Sequence, residues 1–249
     1  MTIIEGIFLG LLQGLAEFLP VSSSGHLLLA MELFSMSDGV LLLTIILHLA
    51  TLLAVVIVFH KRIWELIKNP FSKTGVALMI ATVITVAFVL LFKDVIDSLI
   101  TVRALPITFL ITAILLFSTT FFKEGDKEAN KKTAIATGLA QGIAVVPGFS
   151  RSGFTISAAM ATGAKRTSAA EFSFLMSIPI IMASFVYEVI GTESGASISI
   201  LPTVVAFIVA LVTGVFAIKF MLHIIRKISL GWFSLYLVVL AIITAFVVY

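Results

Sequence analysis

The 249-residue sequence contains no cysteine, and only 12% of its residues are charged. The absence of cysteine excludes a disulfide framework and any metal site built from thiolates. Soluble domains carry roughly a quarter of charged residues, so the low charge argues against a soluble domain. Long polar loops, low-complexity tracts and polar tails are missing too. The N-terminal stretch lacks the Lys/Arg-rich start of a signal peptide, and we expect it to remain in the mature protein.

What is present is apolar: hydrophobic residues make up 60% of the chain, and the mean hydropathy is +1.22. Runs of about twenty apolar residues recur along the whole chain and predict an all-α polytopic membrane protein. The predicted spans are about 39–60, 75–92, 104–122, 171–190, 201–222 and 232–249. Two further segments, about 3–35 and 133–163, are each predicted to be a pair of short helices around a polar break. The net charge of +3 comes from basic residues in short loops, so no nucleic acid partner is expected.

The chain contains an internal repeat. A shift of 128 positions aligns Gln13–Ala16 with Gln141–Ala144 without a gap, and it aligns Ser22–Gly25 with Ser150–Gly153. Three differences between the copies concern polar groups: Glu17 meets Val145, Ser23 meets Arg151, and His26 meets Phe154. One copy therefore carries the acid, the hydroxyl and the imidazole, whereas the other carries the guanidinium. We interpret the two copies as halves of one site within a single membrane domain, 1–249, with repeats at about 1–125 and 126–249.

Both repeats also carry small residues every four positions, which we interpret as helix-packing stripes. The stripes are Gly6, Gly10 and Gly14 in the first repeat, and Ala134, Gly138 and Gly142 in the second.

The basic residues predict the topology. Thirteen of the sixteen Lys and Arg residues fall in four places: Lys61, Arg62, Lys68 and Lys73; Lys123, Lys127, Lys131 and Lys132; Lys165 and Arg166; and Lys219, Arg226 and Lys227. If both broken pairs are re-entrant, all thirteen lie on one side, which the positive-inside rule makes the cytoplasm. If the second pair crossed the membrane, its two basic flanks could not both be cytoplasmic. Each half then has one re-entrant pair and three spans, which predicts an inverted repeat with both termini outside.

The polar break of the first repeat carries the chemistry. Gln13 and Glu17 are four residues apart and share a helix face, and an ionisable group at membrane depth indicates function by default. Ser22–Ser24 open a helix, whose free backbone N–H groups favour an anion. His26 lies three residues after Ser23, so an early helical turn would bring imidazole and hydroxyl together, as nucleophilic catalysis requires.

Arg151 occupies the position of Ser23 in the second repeat, where its planar guanidinium can bind two phosphate oxygens at once. The combination predicts a site for a phosphate or pyrophosphate attached to a lipid-soluble group. Structural alternatives remain open: a hydrogen-bonded Glu17, or an Arg151 that only neutralises Glu17. His48, within a span, is interpreted as a structural histidine, with support of the site as the alternative.

Two segments carry a family resemblance. Glu17–His26 (EFLPVSSSGH) and Pro147–Thr155 (PGFSRSGFT) closely resemble the two signatures of the undecaprenyl-diphosphate phosphatase family of the bacitracin-resistance type. The resemblance extends over the full chain in hydropathy and motif spacing, and both motifs are long and specific. It implies hydrolysis of a polyprenyl diphosphate to the monophosphate at the outer face of the cell membrane. Recycling of the lipid carrier for envelope glycan synthesis and resistance to bacitracin follow from the same resemblance.

The resemblance also implies residue roles. Glu17, Ser23, His26 and Arg151 would be catalytic, with Ser23 favoured as nucleophile and His26 assisting, and with attack by His26 or water left open. Gln13 stands where the family has Glu or Gln, so Glu17 would carry more of the binding of the implied Mg²⁺ or Ca²⁺. The residues expected to hold phosphate oxygens are Ser22, Ser24, Gly148, Ser150, Ser152 and Thr155.

Two other functions are compatible with parts of this pattern. Inverted repeats with re-entrant helices are common in transporters and channels, so transport or flipping of an anionic lipid or ion is the alternative function. An intramembrane serine protease would also combine Ser and His, but it has no need for Arg151. Expected partners are the polyprenyl diphosphate and membrane lipids. A homodimer is left open, because helix interfaces and lipid-facing surfaces have similar composition.

Overall fold

The computed structural model describes residues 1–36, 39–191 and 199–249. This described part forms eleven α-helices and no strand. They are α1 Ile3–Ala16, α2 Ser23–Leu33, α3 Val40–Lys68, α4 Lys73–Leu91, α5 Lys93–Leu99, α6 Leu105–Ser118, α7 Lys131–Ile143, α8 Arg151–Ala161, α9 Arg166–Gly191, α10 Ile200–Ile224 and α11 Gly231–Val248. Short 3₁₀ turns extend α6 at both ends. Among the described residues, six helical segments, built on α3, α4, α6, α9, α10 and α11, are long and apolar enough to span a membrane. The prediction of an all-α polytopic protein is therefore confirmed.

Two helices differ from the predicted spans. Helix α3 continues to Lys68, beyond the predicted end near residue 60, with a kink at Phe59, where φ is −102° and ψ is 18°. The polar residues after the kink are still good helix formers, and the helix is capped by Asn69, directly before Pro70. Helix α5 was not predicted, because its seven residues are too few to give a periodic signal.

The two broken segments fold as helical hairpins. In the first, Phe8 of α1 and Phe34 beyond α2 make an edge contact with ring centroids 5.6 Å apart. In the second, the backbone N–H of Lys127 donates to Gly163 O at 3.2 Å, and the N–H of Lys165 donates to Lys127 O at 2.9 Å. In each segment the two helices thus fold back on each other, and the re-entrant placement of the hairpins in a bilayer stays a prediction. Helix α1 has 14 residues and α7 has 13, which is about 20 Å of helix and too short for a span of about 30 Å.

Helices related by the 128-residue shift make equivalent contacts. Helix α1 packs along α10, its counterpart α7 packs along α4, and α6 packs against its own counterpart α11. The small-residue stripes lie in the first two of these interfaces: a Cβ added to Gly10 would lie 2.5 Å from Ala206 O, and one added to Gly138 would lie 2.8 Å from Ala81 O. This agrees with the packing interpretation of the stripes. The opposite orientation of the two halves in a bilayer stays a prediction.

The four basic loops meet at one end of the molecule. Besides the Lys127–Lys165 contact, Arg62 Nε lies 3.4 Å from Glu171 Oε1, and Arg166 donates to Ile228 O at 3.1 Å. At a different place, the Tyr249 hydroxyl donates to Arg103 O at 3.1 Å. The long helices present large apolar side chains outward, such as Leu90, Ile114, Val212 and Phe246, as expected for contact with lipid tails.

Candidate active site

Glu17, at the end of α1, is the centre of a buried polar cluster. Arg151 makes an ion pair with Glu17 Oε1. On the other oxygen, Oε2, Ser23 Oγ donates at 2.5 Å and Gln13 Nε2 donates at 3.1 Å. His48 Nε2 lies 3.8 Å from the same Oε2. Glu17 is 5% exposed, so the charge of its carboxylate is stabilised by these partners rather than by water.

The two hairpin tips have the same local structure. Ser22 Oγ accepts from Gly25 N at 3.2 Å and caps α2, while Ser150 Oγ accepts from Gly153 N at 3.1 Å and caps α8. Two residues after each cap a second serine approaches its hydroxyl, at 3.5 Å for Ser24 and 3.3 Å for Ser152. The N-termini of α2 and α8 therefore have the same serine cap, and each has free backbone N–H groups.

The residue between the two serines differs, and it defines the site. Ser23 stands there in the first tip and Arg151 in the second, and both contact Glu17. Ser22 has a φ of 69°, a left-handed conformation that is uncommon for serine and often found at functional sites. The internal repeat therefore places a hydroxyl and a guanidinium on one carboxylate.

A cavity of about 370 Å³ opens beside this cluster. Its polar wall consists of Glu17, Ser22, Ser23, Ser24, Thr44, His48, Gln141, Ser150, Arg151 and Ser184. The remaining wall is mostly apolar and includes Leu41, Ile45, Ile100, Val145, Pro147, Phe149, Ile180, Ile181 and Phe185. The start of α3 and the second half of α9 line it, so the cavity lies away from the basic ends of these helices at Lys68 and Arg166. A polar end with apolar walls suits a lipid with a charged head group.

Three residues expected to bind phosphate do not line this cavity. Ser152 Oγ donates to Leu19 O at 3.1 Å and joins the two hairpin tips. Thr155 Oγ1 donates to Arg151 O at 2.8 Å and shares a 2.6 Å hydrogen bond with Ser173 Oγ. Gly148 has a φ of 89°, and its carbonyl accepts from Thr112. Their contacts shape the second tip, and phosphate binding by them stays a prediction.

His26 does not pair with Ser23 in the structure. Its Nδ1–H donates to Ser22 O at 2.7 Å, and its Nε2 is 2.6 Å from the Tyr236 hydroxyl. The two rings are stacked, with an interplanar angle of 5°. The expected pair is absent because the Ser23 hydroxyl turns to Glu17 while the imidazole turns to α11. Attack or assistance by His26 would require its ring to leave Tyr236.

His48 was interpreted as a structural histidine, with support of the site as the alternative. The structure places it beside Glu17 and in the cavity wall, with Nδ1–H donating to Thr44 O at 2.8 Å. A polar stripe along α3 was the available signal, since Thr44, His48 and Thr51 recur every three or four residues. Thr51 faces the same cluster, because Gln13 Nε2 lies 3.4 Å from its hydroxyl.

A divalent cation would find suitable donors here. Gln13 Oε1 is buried and has no hydrogen-bond partner among the described residues, and its amide lies against Glu17. Carboxylate and amide oxygens are ligands that Mg²⁺ and Ca²⁺ accept. Groups of three or more His, Asp or Glu side chains that could hold a metal are absent from the described part of the chain. The donors present therefore fit a cation that also binds substrate oxygens and water.

Comparisons with known proteins agree with the resemblance drawn from the motifs. The family described as "Bacitracin resistance protein BacA" matches residues 6–243. The chain is 42% identical to the undecaprenyl-diphosphatase of Carboxydothermus hydrogenoformans, over 97% of this chain and 96% of that protein. It is 41% identical to the undecaprenyl-diphosphatase of Treponema denticola over the same shares, and 37% identical to that of Christiangramia forsetii over 95% and 94%. The chain thus belongs to the bacitracin resistance protein BacA family.

Proposed function

We propose that this protein is a membrane phosphatase that hydrolyses undecaprenyl diphosphate to the monophosphate and inorganic phosphate. The observation that carries the proposal is the convergence of Ser23, Arg151 and two helix N-termini on one end of an apolar-walled cavity. The names of the full-length relatives support the same substrate. Bacitracin resistance follows from the family to which the chain belongs.

Arg151 supplies a free donor for the substrate. Its Nη2 is bonded to Glu17, whereas its Nη1 is buried without a hydrogen-bond partner among the described residues. An unsatisfied buried guanidinium nitrogen is costly, and a phosphate oxygen in the cavity would satisfy it. The free N–H groups that start α2 and α8 would stabilise the same phosphate, since helix N-termini favour anions.

Ser23 is the proposed nucleophile and Glu17 Oε2 its proton acceptor. As the Ser23 oxygen attacks the terminal phosphorus, its proton passes to Oε2, which already accepts its hydrogen bond. The bond from phosphorus to the bridging oxygen breaks, and the prenyl monophosphate leaves with the electron pair. Water then attacks the phosphoserine phosphorus, and the bond from phosphorus to the Ser23 oxygen breaks as this oxygen takes back the proton held by Glu17. The departing inorganic phosphate keeps the protons of the water. Phosphoryl transfer depends chiefly on positioning and charge stabilisation, and Arg151 provides both.

Mg²⁺ or Ca²⁺ is proposed as cofactor, with Glu17 and the Gln13 amide oxygen as protein ligands. When bound, the cation would neutralise negative charge on the diphosphate and on the leaving phosphate. Chelation is therefore expected to slow the reaction.

The site is proposed to face the outer side of the cell membrane. This orientation rests on the basic loops, which meet at the end of the molecule away from the cavity, and on the cytoplasmic preference of Lys and Arg. Phosphate released only into the external medium of right-side-out vesicles would support this placement, whereas release into the lumen would reverse it.

The test of function is phosphate release by purified protein in detergent, with farnesyl, geranylgeranyl and undecaprenyl diphosphate as substrates. Longer tails bury more apolar area along the cavity and the lipid-facing helices, so KM is expected to fall with chain length while kcat changes little. Glu17→Gln is expected to lower kcat by about 10³-fold, the scale of a lost general base combined with a lost charge.

Glu171→Gln is the matched control, because Glu171 pairs with an arginine at the basic end. It should retain wild-type rates. A protein that moves the lipid diphosphate across reconstituted vesicles without releasing phosphate would instead establish the transport function that the repeat also permits.

The role of His26 is testable through its partner. If the ring must leave Tyr236 to assist Ser23, His26→Ala is expected to lower kcat by about 10²-fold, the usual range for a general acid or base. Tyr236→Phe removes only the hydrogen bond that holds the ring away, so it should retain or raise kcat. Equal losses in both variants would show that His26 serves to anchor α11.

A further inference from the structure

His48 is oriented by a backbone hydrogen bond in a way that leaves its second nitrogen free. Thr44 O can only accept, so Nδ1 carries the proton in the 2.8 Å bond between them. In the neutral ring, Nε2 then holds a lone pair. This nitrogen faces Glu17 Oε2 at 3.8 Å, which is too long for a direct hydrogen bond.

Two electron-rich atoms that face each other are stabilised by positive charge between them, and Oε2 receives only neutral donors, Ser23 Oγ and Gln13 Nε2. The nearest guanidinium, that of Arg151, is on the opposite carboxylate oxygen, Oε1. Ligand atoms that share one divalent cation at about 2.1 Å each lie about 3–4 Å apart. The separation of Nε2 and Oε2 falls in this range.

A third donor is within the same cluster. Gln13 contacts Glu17 Oε2 through its amide nitrogen, while its amide oxygen is buried without a partner among the described residues. Rotation of the amide would exchange the two atoms and turn the oxygen toward Oε2. Thr51, whose hydroxyl can donate as well as accept, would remain a suitable neighbour for the amide.

We propose that His48 binds, through Nε2, the divalent cation that Glu17 holds, with the Gln13 amide oxygen as third protein ligand. A metal-binding histidine almost always donates its other ring N–H to a carbonyl or carboxylate, and the bond to Thr44 O has this form. The histidine adds a neutral nitrogen donor to one carboxylate and one neutral amide oxygen. The inference rests on the proposed function for the role of the cation, but metal binding can be measured without substrate.

An imidazole ligand changes which cations the site favours. Mg²⁺ and Ca²⁺ bind mainly oxygen, whereas imidazole favours first-row transition metals, among which Mn²⁺ also suits carboxylate and carbonyl ligands. The site should therefore bind Mn²⁺ more tightly than Ca²⁺. Mn²⁺ is also paramagnetic, so the atoms bound to it can be identified directly.

The experiment is electron spin echo envelope modulation of Mn²⁺ bound to purified protein labelled with ¹⁵N-histidine. We expect a modulation from one directly bound imidazole in the wild type. In His48→Gln this modulation should be lost, and the Kd for Mn²⁺ should rise by about tenfold or more. His60→Gln is the matched control, since His60 lies on the same helix and makes the same kind of Nδ1 bond, to Ile57 O at 2.9 Å. It should retain the modulation and the wild-type Kd.

Several results would overturn the proposal. Bound Mn²⁺ without imidazole modulation would show that His48 does not bind the cation. Modulation that persists in His48→Gln would assign the nitrogen to another histidine. Absence of Mn²⁺ binding at millimolar concentration would exclude the three-ligand site. These results leave phosphate release by the wild type unaffected, so they are distinct from failure of the proposed function.

Discussion

Replacement of Arg151 by alanine is expected to lower kcat/KM for phosphate release by about 10³-fold or more, the scale of an arginine that stabilises a transferred phosphoryl group. The variant lacks both contacts of the guanidinium, which are the proposed hydrogen bond from Nη1 to the phosphate and the ion pair of Nη2 with Glu17. Arg151→Lys keeps the charge but not the planar fork, so an intermediate loss of about 10²-fold is expected.

Loss of the ion pair is also expected to lower the free energy of unfolding, because Glu17 would be left buried and unpaired. Removing one partner of a buried pair costs about 3–5 kcal/mol, whereas removing both can be nearly neutral. The double variant Glu17→Gln/Arg151→Ala should therefore recover thermal stability relative to Arg151→Ala while remaining inactive. Arg166→Lys, at the basic end, is the control and should retain activity. A stable Arg151→Ala variant with more than a tenth of wild-type kcat/KM would contradict the proposed phosphate contact.

Replacement of Ser23 by alanine is expected to lower kcat by about 10⁴-fold or more, as for other enzymes that lose the attacking hydroxyl. The hydroxyl lies in the cavity wall and donates to Glu17 Oε2 at 2.5 Å, so nucleophile and proton acceptor are already in contact. Acid quenching during turnover of substrate labelled in the terminal phosphate should leave label on the wild-type protein and none on Ser23→Ala.

A control serine is available in α9. Ser177 is fully buried, and its hydroxyl donates to Phe174 O, within its own helix. Ser177→Ala should retain wild-type rates and labelling. If Ser23→Ala released phosphate at a tenth of the wild-type rate or faster, water or His26 would be the nucleophile, and Ser23 would serve only as a hydrogen-bond partner of Glu17.

Much of this architecture could be predicted from the sequence, because its signals are local. Apolar runs give the spans, and Pro20 together with the Ser caps gives the break in the first hairpin. The 128-residue shift relates α2 to α8 residue for residue. The convergence of Glu17, Ser23 and Arg151 followed from treating the two copies as halves of one site.

The partners of the two histidines could not be predicted in the same way. His26 bonds to Tyr236, 210 positions away in the chain, and no periodicity within α2 or α11 reports which helices become neighbours. Spacing alone favoured Ser23 as the partner of His26, but the competing acceptor, Glu17, lies on the preceding helix. For His48 the sequence could not decide between the two roles, because a single histidine in an apolar span has the same pattern whether it is structural or functional.

The equivalence of Ser23 and Arg151 bears on why the two halves are joined in one chain. In a symmetric dimer of a half-length protein, both subunits would carry the same residue at this position. Such an assembly would present two hydroxyls or two guanidinium groups at its axis, and never one of each. A centre that needs an attacking oxygen opposite a fixed cation therefore requires two halves of different sequence, and a single chain that contains both halves supplies one of each.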